Sequence, residues 1–326
     1  MQIFHKMITA IDVGKSWISG ARARKFRGII SKPVFASVRN EGNVVEHLKT
    51  LKEKLRPDVE DIVVTNFPVE EVLFNTLEIP KELRKSELRT YITAEMSRIL
   101  NLSSSEIALD FVRNPIGKAL VMVTKIRRLN EWISNITAAG FPLPDVVIPD
   151  AFKYLQLLKI PGPEACVLVL LTRDYSVVAV CVSGSPLGIR TFSYSLDETI
   201  SIVSEETGLN EMEIVQELSK QESSNAKNVF ESITVDLPYS VEREIIFLLS
   251  SALPGSSIRD VAKFYIFCDP LGFTPHYVKL FETVETMQGK IQPLTLSIDA
   301  KDLPAGTIGL LVRGGEEFGK NKLVQI

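Results

Sequence analysis

Ile8-Thr9-Ala10-Ile11-Asp12-Val13-Gly14-Lys15-Ser16-Trp17-Ile18-Ser19-Gly20-Ala21-Arg22 has a counterpart later in the chain, Val167-Leu168-Val169-Leu170-Leu171-Thr172-Arg173-Asp174-Tyr175-Ser176-Val177-Val178-Ala179-Val180. Each stretch reads as an apolar strand, a short polar turn and a second apolar strand. The turns differ. In the first, the strand ends in Asp12-Val13-Gly14 followed by small polar residues. A carboxylate there suits a hydrated Mg²⁺, and a glycine lets backbone N–H groups close on a phosphate. In the second, the corresponding places hold Leu170 and Thr172. A nucleotide clamp built from two such turns lacks half its residues here, which favours binding over catalysis.

The rest of the composition is that of a globular protein. The chain of 326 residues has room for two cores. Its net charge of −3 gives no reason to expect nucleic acid as a partner. Cys166, Cys181 and Cys268 are odd in number and widely spaced, two of them in apolar runs. Buried reduced thiols fit this better than a disulfide framework or a metal site. The first six residues lack the apolar stretch of a signal peptide. Arg173 and Asp174 interrupt the longest apolar run, leaving none near the ~20 residues that cross a bilayer. The expectation is a cytoplasmic protein.

Outward from the first hairpin, the basic run Arg22 to Arg27 reads as a solvated strand face, with an anionic lipid or acidic partner as the functional alternative. Val45, Leu48, Leu51 and Leu55 form a helical stripe stopped by Pro57, and a strand follows at 62–67. From Phe74 a second unit begins. Leu77-Glu78-Ile79-Pro80 leads into a helix with Leu88, Tyr91, Ile92, Met96 and Ile99 on one face. Strands at 108–112 and 118–124 follow, then a helix carrying Leu129, Trp132, Ile133 and Ile136 and ended by Gly140. This α-and-β insertion is large enough for a subdomain. A strand at 145–148 precedes a helix capped by Asp150, and Pro161-Gly162-Pro163 is the expected hinge. Beyond it, three strands fall at 165–171, 176–182 and 188–194, followed by helices, the first capped by Asp197. A strand at 263–268, a helix at 276–286, a strand at 293–298 and an apolar element at 307–312 close the chain. The polar tail from Gly314 is expected to fray.

Hairpins opening both halves, each followed by alternating α and β, describe an α/β fold of the actin-like (ribonuclease H-like) type, two-lobed and internally pseudo-symmetric. Within it the chain resembles the type IV pilus assembly protein PilM family. The resemblance is carried by Ile11-Asp12-Val13-Gly14; by Leu77-Glu78-Ile79-Pro80-Lys81-Glu82-Leu83 with its helix and Leu109-Asp110-Phe111; by Ala138-Ala139-Gly140-Phe141 and Asp150-Ala151; by Gly188-Ile189-Arg190-Thr191 and the stretch 197–220; and by Gly306-Thr307-Ile308-Gly309-Leu310-Leu311-Val312-Arg313. It implies a first lobe over 1–160 with an inserted subdomain at roughly 75–145, and a second lobe over 161–326 whose last element returns to the first. It also implies a place on the cytoplasmic side of an inner-membrane platform of the type IV pilus or type II secretion kind. The implied partner is the cytoplasmic N-terminal tail of a PilN-like single-pass membrane protein, received in the cleft between the inserted subdomain and the first lobe. Membrane association would then be indirect, and a homo-oligomer is compatible.

The departures from the family point one way. The family has Asp-Ile-Gly where this chain has Leu170-Leu171-Thr172, and a Gly-Gly turn where it has Phe267-Cys268-Asp269-Pro270. Proline donates no N–H, and neither residue permits the approach two glycines allow. Asp12, Gly14, Lys15 and Ser16 are what remains of a phosphate loop. Two readings of them stand: weak residual binding of ATP or Mg²⁺, or survival of Asp12-Val13-Gly14 as a turn signal. Neither His5, His47 and His276 nor any cysteine pair has metal-ligand spacing, and no Walker loop or nucleophile elbow occurs. Asp174, Asp236 and Asp269 read as turn residues, so no catalytic set is assigned. A scaffold without hydrolysis is the leading expectation. One alternative is a working Mg-ATP-dependent ATPase using Asp12. The other is a division-type actin homologue, for which the tail Gly315 to Lys322 offers no strong apolar face.

Overall fold

The structure, a computed structural model, describes residues 6–323 apart from 27, 28, 31, 32, 85, 115, 156, 159–161, 221, 295 and 297–303. The chain opens with β1 (Lys6–Val13), β2 (Trp17–Phe26), β3 (Ile29–Ile30), β4 (Val34–Arg39), α1 (Val44–Leu55) and β5 (Ile62–Phe67). Then come β6 (Leu73–Glu78), α2 (Leu88–Leu100), β7 (Ile107–Arg113), β8 (Lys118–Lys125), α3 (Ile126–Ala138), β9 (Val146–Pro149) and α4 (Asp150–Leu155). The second half holds β10 (Cys166–Leu171), β11 (Ser176–Val182), β12 (Ser185–Phe192), α5 (Leu196–Thr207), α6 (Glu211–Ser219), α7 (Asn225–Thr234) and α8 (Leu237–Ala252). It ends with β13 (Lys263–Cys268), α9 (Thr274–Phe281), β14 (Ile291–Pro293) and α10 (Ala305–Leu323).

Two sheets repeat one plan. The first runs β4-β2-β1-β5-β9, with β3 also on β2, and the second runs β12-β11-β10-β13-β14. In both, the opening hairpin is antiparallel and the next two strands join in parallel. β10 and β11 are buried along almost their whole length, which is why they read as continuous apolar runs rather than alternating ones. A third sheet, β6-β8-β7, is the inserted unit, closed on one side by α2 through Leu88, Ile92 and Met96.

The cores explain the layering. One face of the first sheet packs on α1 and α3, with Leu48, Leu51 and Ile136 meeting Ile11 and Val63. One face of the second packs on the helices from α5 to α9. The remaining faces share a single central core with α4 and α10, in which Ile8 and Ala10 belong with Leu168, Leu170 and Phe267. The inserted sheet leans on the second: Thr76 Oγ1 donates to Leu187 O at 2.7 Å and Lys118 Nζ to Ala252 O at 3.0 Å. All three cysteines are free and buried.

Several local expectations change. The tail does not fray at Gly314, because α10 continues to Leu323 and packs on β1, β2, β5 and α4. A Cβ at Gly314 would come within 3.0 Å of Ile8 and Val64 side chains, so this glycine permits close approach rather than ending the helix. The cap of α5 is Ser195, which accepts from Glu198 N, while Asp197 lies in the first turn. α9 stops at Phe281. The late strand is Ile291–Pro293, with 295 and 297–298 outside the described residues, as is Pro161 of the expected hinge. The basic run is not simply solvated: Arg22 Nε pairs with Asp61 at 2.7 Å, and Lys25 donates to the Gly315 carbonyl.

Candidate functional site

The two hairpin turns face one cleft of about 520 Å³. Their backbones match. Gly14 N donates to Trp17 O at 2.9 Å and Thr172 N to Tyr175 O at 3.0 Å, which sets Asp12 opposite Leu170 and Gly14 opposite Thr172 in the two plans. Leu170 is fully buried in the central core. Thr172 uses its hydroxyl locally, donating to Tyr175 O at 2.6 Å. Neither Leu170 nor the Thr172 hydroxyl is thus left to grip a ligand.

Asp12 is buried at the end of β1, and its partner is Lys153 of α4, whose Nζ lies 2.7 Å from Asp12 Oδ1 and 2.8 Å from Asp150 Oδ1. Asn66, at the end of β5, completes this cluster. Its amide takes both backbone groups of Val13 at 2.9 Å and donates to Asp150 Oδ1 at 2.6 Å. Burial raises Asp12 to about 6, opposed by the adjacent Lys153 ammonium. Burial works against the charge on Lys153, yet the two carboxylates hold its pKa above the ordinary lysine value. An ion cluster this dry persists only because each charge is paired and hydrogen-bonded.

Gly14 and Lys15 meet the second hairpin directly. Lys15 N donates to Asp174 Oδ2 at 2.8 Å, and a Cβ on Gly14 would strike that same oxygen. The Lys15 ammonium itself is exposed and 3.5 Å from Glu70. Ser16 contributes its carbonyl, which accepts from Asn40 N at 2.9 Å. Asp269 accepts from Tyr154 OH at 2.9 Å; burial raises it, as burial raises Asp174. Asp236 stands before α8, away from the cleft lining. Arg173, the other cation among the described residues lining the cleft, is held by Asp197 at 2.6 Å and Glu211 at 3.0 Å.

This donor set does not fit a Mg-nucleotide. The carboxylate that would face the cation already carries an ammonium, and the N–H that would face a phosphate already carries a carboxylate. The second turn offers Leu170, Leu171 and Thr172, and Pro270 has no N–H to give. Among the described residues, no group of His, Cys, Asp and Glu is arranged to hold a metal ion. The sequence pointed to Asp12, Gly14, Lys15 and Ser16 but not to Lys153 or Asn66, which come from α4 and β5. The only local sign of Lys153 was its i,i+3 spacing from Asp150.

A second concavity, of about 380 Å³, lies between the inserted unit and the first sheet. Leu109, Phe111, Met122, Val147, Pro149 and Phe152 line it, with Asp110 and Arg313 also present. β7 is the outer strand of its sheet and β9 the outer strand of the first, so two strand edges flank this groove with no further strand on either among the described residues. Thr124 Oγ1, also in the lining, is buried without a hydrogen-bond partner.

No protein-family model and no curated protein matches the chain. Solved structures do. That of a PilM–PilN type IV pilus biogenesis complex is similar over 95% of this chain and 98% of its own, with TM-score 0.69 and 15% identity. The ethanolamine utilization protein EutJ from Carboxydothermus hydrogenoformans matches over 95% and 89%, with TM-score 0.51 and 9% identity. The fold is actin-like. The cytoplasmic domain of EpsL, an inner-membrane component of the Vibrio cholerae type II secretion system, aligns over 96% and 95% at TM-score 0.47 and 12% identity. The two sheets are thus the centres of two actin-like lobes, and β6-β8-β7 is the insertion in the first. Among the described residues, no helix is long and apolar enough to cross a membrane.

Proposed function

We propose that this chain is a PilM-like scaffold on the cytoplasmic side of an inner-membrane platform of the type IV pilus or type II secretion kind, working without nucleotide hydrolysis. In this reading residues 1–160 form the first lobe, 161–326 the second, and α10 returns to the first. Its partner is the cytoplasmic N-terminal tail of a PilN-like membrane protein, and the chain reaches the membrane through that partner. The observation that carries the reading is the likeness, along nearly the whole chain, to a structure solved as a PilM–PilN complex.

The groove between β7 and β9 supports the partner. An extended peptide gains main-chain hydrogen bonds from a free strand edge and places alternate side chains in pockets. Leu109, Phe111 and Phe152 supply an apolar floor, and the Thr124 hydroxyl is a buried polar atom that a peptide group could satisfy. The test is calorimetric titration with the cytoplasmic N-terminal tail peptide of a PilN-like membrane protein from the same organism. Saturable binding is expected, weakened at least ~10-fold by Phe111→Asp, since one lost anchor of this kind costs more than 1 kcal/mol. Absence of binding by the unaltered protein would sink the partner assignment.

A further inference from the structure

In an actin-like cleft the two lobes are joined by what sits between their turns, and here that space is crossed by the chain's own charges. Asp174 leaves the second hairpin and accepts from the Lys15 amide of the first at 2.8 Å. Asp269, at the end of β13, takes the Tyr154 hydroxyl of α4 at 2.9 Å and also accepts from the Gly306 N–H at the start of α10. Lys153 fills the space over Asp12. α10 closes behind it, since a Cβ at Gly306 would collide with both Asp12 Oδ2 and Lys153 Cε, and one at Gly309 would fall on the Lys153 carbonyl.

We propose that Asp174 and Lys153 are resident occupants of the phosphate and cation positions of the first turn, and that the Asp174–Lys15 and Asp269–Tyr154 bonds fix the closure of the two lobes independently of Mg-nucleotide. The chemistry of each pair matches the contact it replaces. A carboxylate on a turn N–H has the charge and acceptor geometry of a phosphate oxygen. A buried ammonium beside two carboxylates supplies the positive charge of a bound cation. Among the described residues lining the cleft, neither cation is free for a triphosphate: Lys153 is shared between Asp12 and Asp150, and Arg173 between Asp197 and Glu211. An incoming nucleotide would have to displace Asp174 while bringing its own negative charge among these carboxylates.

The inference deepens the nucleotide-independent part of the proposed function and is indifferent to the partner. It is tested by spin labels on exposed positions of the two lobes, at Val59→Cys and Met212→Cys, with the three native thiols buried and unlabelled. Electron–electron double resonance on the unaltered cleft should give one distance distribution, the same with and without millimolar Mg-ATP. Asp174→Ala combined with Tyr154→Phe should shift or broaden it without any ligand. Hydrogen exchange guards against a variant that merely unfolds. The Lys15 amide should exchange at least ~10-fold faster in Asp174→Ala than in wild type or Asp174→Asn, which keeps an acceptor, while the amides of β10 stay protected. A wild-type distance that moves with Mg-ATP overturns the proposal. So does a double variant whose distribution and Lys15 exchange match wild type. Failure of tail binding with unchanged distances counts against the partner alone.

Discussion

The two hairpins share backbone and sheet position and differ in where their turns find satisfaction. The second turn is held from within its own lobe: Thr172 closes on Tyr175 O with its own hydroxyl, and Leu196 N covers the Thr172 carbonyl at 3.0 Å. The first depends on residues far away in sequence. Asn40 Nδ2 covers the Gly14 carbonyl, Asn66 brackets Val13, Lys153 neutralises Asp12, and Asp174 comes from the other lobe. Where the second half has Leu170, joined to the core, the first has Asp12, surrounded with countercharge. One backbone position thus has two stable arrangements, apolar filling and internal ion pairing. They differ in fragility, because truncating one member of a buried ion cluster strands the others.

That difference sets the largest expected effect. Lys153→Met leaves Asp12 and Asp150 buried without their cation and should lower the unfolding free energy by about 3–5 kcal/mol in urea. Making the first hairpin resemble the second, with Asp12→Leu added to Lys153→Met, should recover part of the loss, since only Asp150 then remains and Asn66 still donates to it. If the double variant is less stable than the single one, the two turns are not alternative solutions of one problem. Next comes Gly14→Ala, whose methyl would strike Asp174 Oδ2 and press on Trp17 O. A loss of about 2 kcal/mol is expected. The same change in an Asp174→Ala background should cost less by about 1 kcal/mol, a coupling that a double-mutant cycle in denaturant reads directly.

How much of this was legible follows from sequence range. The paired hairpins were readable because β1 with β2 and β10 with β11 are local, and the absence of Asp and Gly from the second turn is a statement about two letters. The equivalence of Leu170 with Asp12 follows from spacing, and the matching Gly14–Trp17 and Thr172–Tyr175 bonds express it in the backbone. The occupants of the first turn were not readable. Lys153 is 141 residues from Asp12 and Asp174 is 159 from Lys15, and no local pattern says which buried lysine meets which aspartate. The end of the chain misled for a different reason. Gly314 and Gly315 lower helix propensity, but α10 gains more from lying close on β1 and β5 than it loses there.

Acidity probes the same asymmetry, since only the first turn holds a titratable group at this position. Burial lifts Asp12 from 3.8 to about 6 in the folded state. Between those values the folded protein holds a proton that the unfolded chain has released. The Asp12 contribution to stability is therefore largest below the unfolded value, falls as pH rises through the window, and is constant above about 6. Wild type measured against Asp12→Asn should lose on the order of 1–2 kcal/mol across that interval, read from urea midpoints at a series of pH values. A difference that is flat from pH 4 to 6 would break this side of the comparison.

The smallest expected effect lies in the second turn, where the hydroxyl of Thr172 does locally what four distant residues do for the first. Thr172→Ser keeps the donor to Tyr175 O and should change stability by no more than ~0.5 kcal/mol. Thr172→Val keeps the volume but removes the donor, leaving the Tyr175 carbonyl with only the Thr172 amide, and should cost about 1 kcal/mol. Because the hydroxyl bond spans three residues and touches nothing in the first lobe, the Val variant should leave the Lys15 amide as protected as in wild type. If Thr172→Val instead speeds exchange at Lys15, the second turn is not self-contained, since Asp174 would then owe its position to the Thr172 hydroxyl two residues before it.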